Sequence, residues 1–416
     1  MLITKLKKLL SGQFIRNVGW LGGAELANRI FRLGTTVTLA RTFSPQDYGL
    51  MAIIYTTVEF ANVFTLRGGF AAKIVQADEK DVIAISDTSY WLNWILCGSV
   101  FIGQCIAAFP IAHFYGNNQL ILPICTVALI YLMLPFFLVN SALIERENRL
   151  KITAYCNAIQ SFIANIITVI LAILGMEVWA IVWAMVLSTP TWIIITWKHH
   201  PWRPPKSFQL KQWQEVTNFG KNILGVELLN KLRMNIDYLI VGKFLSLEEL
   251  GVYYFAFNAG SGITTNTIYA FLSALYPHIC EVRQNYQEFK QRYFSSLKKI
   301  TLVVCTLVLL QSTLAPFYVP IIFGKKWINA IPILVIICLS VIPLTFRWTS
   351  AILFKSVDKT HIMLYFDLIY TLTFAISLLI AVKWGIFWVA VIVLMVHSLM
   401  SLIFSTWAIK SVFNNE

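Results

Sequence analysis

The chain is short of charge. Asp, Glu, Lys and Arg make up 13% of its 416 residues, about half the share of an ordinary soluble domain. It is also short of reactive groupings. Its seven cysteines show no metal-ligand spacing; six lie in apolar runs and Cys280 sits just past one. They read as small core residues and exclude a disulfide framework or a zinc site. The six histidines are scattered apart from the adjacent His199 and His200. No Ser/His/Asp constellation, glycine-rich phosphate loop or nucleotide-binding pattern is present, so neither a catalytic centre nor a cofactor is expected. A cleavable signal peptide is not expected either, because MLITKLKKLL leads into a charged span without a small-residue cleavage site. Leu2, Leu6 and Leu9 oppose Lys5 and Lys8 there, which fits a turn on the membrane surface or a plain basic tail.

What the chain has is apolar length. Hydrophobic residues make up 58%, and runs of about 20 residues, each enough to cross a bilayer, recur throughout. Reading them between polar breaks predicts an all-α polytopic membrane protein of twelve spans: 17–39, 50–72, 84–112, 118–143, 152–174, 178–197, 219–241, 251–277, 300–320, 327–354, 361–382 and 385–409. Prolines within or beside them (Pro110, Pro123, Pro135, Pro190, Pro277, Pro332, Pro343) predict kinks. Loop cations alternate: 21 fall on the side that includes both termini and 5 on the other. The positive-inside rule then places both termini in the cytoplasm. Much of the net charge of +13 is thereby topological and is no argument for nucleic acid. The loops of the outer side are short, which leaves no room for an external domain.

A basic, proline-rich segment, KHHPWRPPKSFQLKQW (198–213), divides the chain. It separates an N-terminal six-helix lobe (1–200) from a C-terminal one (217–416), with 201–216 as a cytoplasmic linker. The halves echo each other. ELANR (25–29) matches ELLNK (227–231), and RTFSPQDYGL (41–50) matches KFLSLEELGV (243–252) at the same offset. With six spans per repeat, both copies enter the membrane in one direction, which predicts two parallel lobes around a central cavity.

Inside the spans lie Glu25, Arg29, Arg32, Glu59, Arg67, Lys221, Glu227, Lys231, Arg233, Asp237, Arg347 and Asp367. Each charge costs about 2.5–3.5 kcal/mol at mid-bilayer, whereas an i,i+4 ion pair returns only a few tenths in water. A water-filled cavity offsets that cost better than local pairing. Glu25, Arg29 and Arg32 share one helix face, and Glu227 and Lys231 occupy the matching face of the seventh span. Arg233 and Asp237, also four apart, lie on another strip and read as a structural ion pair. Arg67 precedes Gly68-Gly69, a candidate helix break, and Arg347 has no counterpart in the first half. Seven intramembrane cations against five acids suit an anionic ligand, and a diphosphate suits guanidinium groups through bidentate hydrogen bonds. Arg29, Arg32, Arg67, Lys231 and Arg347 are the substrate-binding candidates. Glu25, Glu227, Glu59 and Asp367 are the candidates for orienting those cations or for coupling to an ion. The rings Tyr253, Tyr254, Phe255 and Phe257 can stack on a sugar or pack between helices.

ARTFSPQDYGLMAI (40–53), GGFAAKIVQ (68–76), ALIERENRLK (142–151), DYLIVGKFLSLEELGVYYFA (237–256) and FGKKWINAIPIL (323–334) resemble, in order and spacing, the polysaccharide flippases of the multidrug/oligosaccharidyl-lipid/polysaccharide exporter superfamily. The resemblance implies an exporter, not an enzyme. Its substrate would be an undecaprenyl-diphosphate-linked oligosaccharide, moved across the bacterial inner membrane by alternating access with ion or proton coupling. It also implies membrane lipids, a polysaccharide polymerase and glycosyltransferases as partners. Related exporters of peptidoglycan lipid precursor or drugs are the alternative within the superfamily. A membrane polymerase or ligase is the alternative outside it, disfavoured by the short outer loops.

Overall fold

The computed structural model describes residues 31–208, 210 and 213–413. Among them every regular element is a helix. Residues 31–42 are helical (α1), followed by Pro45–Phe64 (α2), Arg67–Gln76 (α3) and Val82–Tyr115 (α4). Three short helical pieces over Asn118–Met133 (α5) meet Pro135–Arg146 (α6) at a bend of 51°. Leu150–Ile173 (α7), Trp179–Ser188 (α8) and Pro190–His199 (α9) come next. After the linker stand Trp213–Phe244 (α10), Leu247–Cys280 (α11), Tyr286–Tyr318 (α12), Ile331–Ser356 (α13), Thr360–Ala381 (α14) and Ile386–Phe413 (α15).

Among the described residues, eight helical segments are long and apolar enough to cross a membrane, or nine if the bent α5–α6 pair is one span. The chain is a multi-pass membrane protein. Two of the expected spans, in α10 and α11, are not among these segments although the helices run to 32 and 34 residues. Charge explains α10, which carries Glu227, Lys231, Arg233 and Asp237; amides and hydroxyls (Asn258, Ser261, Thr264, Asn266) dilute α11. The first expected span lies mostly outside the described residues.

Local chemistry sets the breaks. Pro135 and Pro190 stand first in α6 and α9, where a missing N–H removes no intrahelical bond. Pro110, Pro277 and Pro343 instead lie inside continuous helices. Gly116 ends α4 at φ 67°, a left-handed conformation that glycine adopts without a Cβ penalty. Ser246 and Glu249 form a reciprocal capping box at the start of α11. The expected span 50–72 is interrupted at Thr65–Leu66: Thr65 Oγ1 donates to the Asn62 carbonyl at 2.7 Å, and Leu66 takes φ 50°, ψ 24° before α3 begins at Arg67.

The chain forms two compact units, one of residues 1–44 and 53–234 and the other of 45–52 and 235–416. In the first, α3, α4 and α6 enclose an apolar core around Phe70, Ile74, Leu92 and Val139, on which Trp202 of the linker packs. A second core joins Cys97, Tyr131, Phe137, Cys156 and Trp192. The linker is tied to this unit: Asn140 Nδ2 donates to the Trp202 carbonyl at 3.0 Å, and Trp91 Nε1 to the Ser207 carbonyl at 3.0 Å.

In the second unit α13 packs against α11, α12 and α15. The amino-terminal turns of α2 and α11 meet there backbone to backbone. A Cβ on Gly49 would lie 2.1 Å from the Leu247 carbonyl oxygen, and one on Gly251 1.7 Å from that of Pro45. Gly49 and Gly251 are the equivalent residues of the two sequence repeats, so the strongest echo in the chain marks a physical contact between its copies. Tyr48 closes this contact edge-on against Trp327, 4.8 Å between centroids, and Trp327 stacks on Phe255 at 4.0 Å. Phe255 is thus a packing residue, as are Tyr254 and Phe257, both edge-on to Tyr238.

Candidate functional site

The cations that sequence reasoning singled out fall into two clusters, one in each unit. Glu25 and Arg29 lie outside the described residues. Arg32 stands exposed on α1.

In the first unit the break at Leu66 sets Arg67 at the first position of α3. Its guanidinium carbon lies 5.7 Å from the Phe137 ring centroid and 5.5 Å from that of Trp192. Trp192 is fixed by donation from Nε1 to Gln160 Oε1 at 2.7 Å. Glu145 supplies the nearby negative charge. Two ring faces attract a cation without occupying its hydrogen-bond donors, and the Arg67 side chain is exposed. On α2, Glu59 Oε2 lies 3.1 Å from Lys231 Nζ of α10, with the two side chains 44% and 35% accessible. Glu227, one turn before Lys231, is exposed, and its Oε1 lies 3.5 Å from where a Cβ on Gly68 would stand. Arg67, Glu59, Glu227 and Lys231 thus come from α2, α3 and α10, with guanidinium, ammonium and carboxylate groups all accessible.

In the second unit Arg347 of α13 is nearly buried, its side chain 8% accessible, and pairs with Asp367 of α14, which is 34% accessible. The guanidinium carbon sits 4.3 Å over the Tyr370 ring. His397 of α15 lies against the same ring, centroids 6.2 Å apart and 23° between planes. His397 is buried, and its Nδ1 has no hydrogen-bond partner among the described residues. Sequence reasoning named Arg347 and Asp367 separately and missed both their pairing and His397. Nothing in the order of residues joins groups 20 and 50 positions apart on three apolar helices.

Arg233 Nη2 donates to Asn230 Oδ1 at 2.9 Å. Asp237 is buried and accepts from the Tyr253 hydroxyl at 2.9 Å and from the Tyr238 backbone N–H at 3.0 Å. Tyr253, offered as a ring for a sugar, is fully buried on this carboxylate.

The chain matches the family model described as polysaccharide biosynthesis protein over residues 38–332. It is 24% identical to the succinoglycan biosynthesis transport protein of Rhizobium meliloti, over 85% of this chain and 71% of that protein. The teichuronic acid biosynthesis protein of Bacillus subtilis is also 24% identical, over 84% of this chain and 74% of its own length. The fold resembles the lipid II flippase MurJ in an inward closed conformation, with a TM-score of 0.77 at 12% identity over 94% of this chain and 87% of that one. The family match takes in the Gly49–Gly251 contact and Arg67, Glu59, Glu227 and Lys231 of the first cluster, and by it this chain belongs to the polysaccharide biosynthesis protein family, as the motif resemblance implied.

Proposed function

We propose that this protein is a flippase carrying a polyprenyl-diphosphate-linked oligosaccharide from the cytoplasmic to the external leaflet of a bacterial inner membrane, with no covalent chemistry of its own. The observation that carries the reading is a set of accessible cations on the long helices of a multi-pass membrane protein, in a family whose named relatives include a transport protein. A bare cation there costs several kcal/mol, so a polar path and an anion to meet it are the economical account. Arg67 is suited to the diphosphate: the rings hold its carbon while its N–H groups stay available for bidentate donation. Lys231 can exchange Glu59 for a phosphate oxygen, and the released carboxylate is then a group on which a coupling proton or cation can act. Glu227 and Asp367 are further coupling candidates; Glu25, Arg29, Arg32 and Arg347 complete the proposed set.

The repeat favours twelve helices in two six-helix lobes, residues 1–200 and 217–416, with α10, α11 and the first span completing the count. Both termini are then cytoplasmic. Single cysteines at Asn117 and Ser207 test this, since only the former should react with an impermeant reagent from outside. The function itself is tested by reconstitution, following leaflet accessibility of a fluorescent polyprenyl-diphosphate oligosaccharide. Translocation no faster than in empty vesicles, with matched and unmatched glycans and an imposed ion gradient, would refute the flippase reading.

A further inference from the structure

α9 borders a groove of about 780 Å³ shared with α7. Its floor is apolar, formed by Ala158, Ile159 and Ile163 of α7 and by Ile194 of α9; its mouth carries Lys151, Lys198 and His199. Both helices present an unbroken stripe. Lys151, Ala154, Tyr155 and Ala158 recur at helical spacing, as do Thr191, Ile194, Ile195 and Lys198.

Charge at the mouth is not balanced from within. Among the described residues neither lysine ammonium has an acidic partner. The neighbouring acid, Glu147, is already engaged by Arg149 at 2.9 Å and His200 at 3.3 Å. The amino terminus of α7 at Leu150–Lys151 adds further positive potential. His199 Nδ1 donates to the Ile195 carbonyl at 2.8 Å, which leaves Nε2 for a headgroup hydroxyl.

Length selects the occupant. From Lys151 to Ile163 the α7 wall rises about 18 Å, close to the depth of one leaflet, about half of the 30 Å hydrocarbon core. A long polyprenyl tail would overrun such a groove, whereas an acyl chain of the same leaflet fits it. We infer that the α7–α9 groove is a binding site for an anionic glycerophospholipid, its phosphodiester between Lys151 and Lys198 and an acyl chain along the alanine and isoleucine floor. This rests on the chain's place in the membrane and not on what it transports.

The test is native mass spectrometry of the full chain in detergent, titrated with dioleoyl phosphatidylglycerol or with dioleoyl phosphatidylcholine, which share acyl chains but differ in net charge. The wild type should bind the glycerol lipid more tightly. Lys151→Gln with Lys198→Gln should weaken that binding by about fivefold per lysine, leave the choline lipid unchanged, and be reversed by arginine at both positions. Ala158→Trp should fill the floor and weaken both lipids. Equal affinity of the wild type for the two lipids overturns the inference, as does an unaffected double glutamine variant. Added polyprenyl diphosphate that binds through these lysines while phosphatidylglycerol does not would assign the groove to the carried lipid and overturn it as well. None of these readouts depends on translocation, so failure of the flippase reading leaves them interpretable.

Discussion

Gly251→Ala should be among the most damaging single-methyl changes in the protein. The new Cβ would stand 1.7 Å from the Pro45 carbonyl oxygen and 2.9 Å from the Gly49 nitrogen, both backbone atoms that no rotamer change can move aside. An ordinary carbon–oxygen contact needs about 3.3 Å, so α2 and α11 must part by about 1.6 Å. Gaps of about 0.5–1 Å already forfeit a quarter to a half of each van der Waals well. The separation therefore also loosens Tyr48 from Trp327, now 4.8 Å apart. The expected loss is about 3 kcal/mol, the upper end of over-packing costs. Equilibrium unfolding in mixed dodecyl maltoside and SDS micelles measures it. Gly262→Ala on the same helix is the control, since nothing lies within 4 Å of its added Cβ, and it should be neutral or stabilising by up to about 1 kcal/mol. If Gly251→Ala unfolds within about 0.5 kcal/mol of the wild type, the backbones are not in contact and the argument fails.

Further outcomes follow from the clusters. Arg67→Ala should insert and fold yet lose most translocation, and Arg67→Lys should recover little of it because a lysine cannot donate bidentately; full transport by both would make Arg67 structural. Asp367→Asn leaves Arg347 nearly buried without its counter-charge and should cost about 3 kcal/mol in the same unfolding assay. Arg347→Met combined with Asp367→Leu should regain most of that stability, and transport by the double variant then reports whether the pair does more than hold helices together. His200 lies just beyond α9, where burial pushes its pKa below the usual histidine value despite Glu147. A depressed value means the folded chain resists protonation, so stability is present above the unfolded pKa of about 6.5 and falls as pH drops below it. Melting temperature should decline from pH 7 to 5, less steeply in His200→Gln; an unchanged slope would remove His200 from the account.

Much of the architecture was readable before any coordinates. Hydropathy located the apolar part of the eight or nine segments able to cross a membrane among the described residues, but helices overrun it: α12 begins at Tyr286, well before the apolar run that opens near residue 300. A helix stays hydrogen-bonded as it leaves the bilayer, whereas the apolar signal stops at the interface. Gly68-Gly69 pointed to a break, which falls at Thr65–Leu66, where a leucine and not a glycine takes the left-handed turn. The charges were legible as anomalies, and their partners were not. Lys231 and Glu59, or Arg67 and Trp192, meet only because distant helices are packed side by side, and no local spacing encodes that. The aromatic run after Gly251 was ambiguous for a related reason: a ring that stacks on a sugar and one that stacks on Trp327 look alike in sequence.

Leu66 gives the first cluster a mechanical character. Placing a leucine in the left-handed region costs about 1–2 kcal/mol, and the same residue packs on the core of α3, α4 and α6. The attraction of Arg67 for its two rings, set in place by that turn, is of similar size, about 0.5–2 kcal/mol. The ring contacts of Arg67 thus offset a backbone cost of the same order at the residue before it. On the proposed reading, an anion that drew the guanidinium off the rings would leave the cost of the left-handed turn without this offset. A change in the charge that Arg67 faces would then be felt first in the backbone conformation of its neighbour.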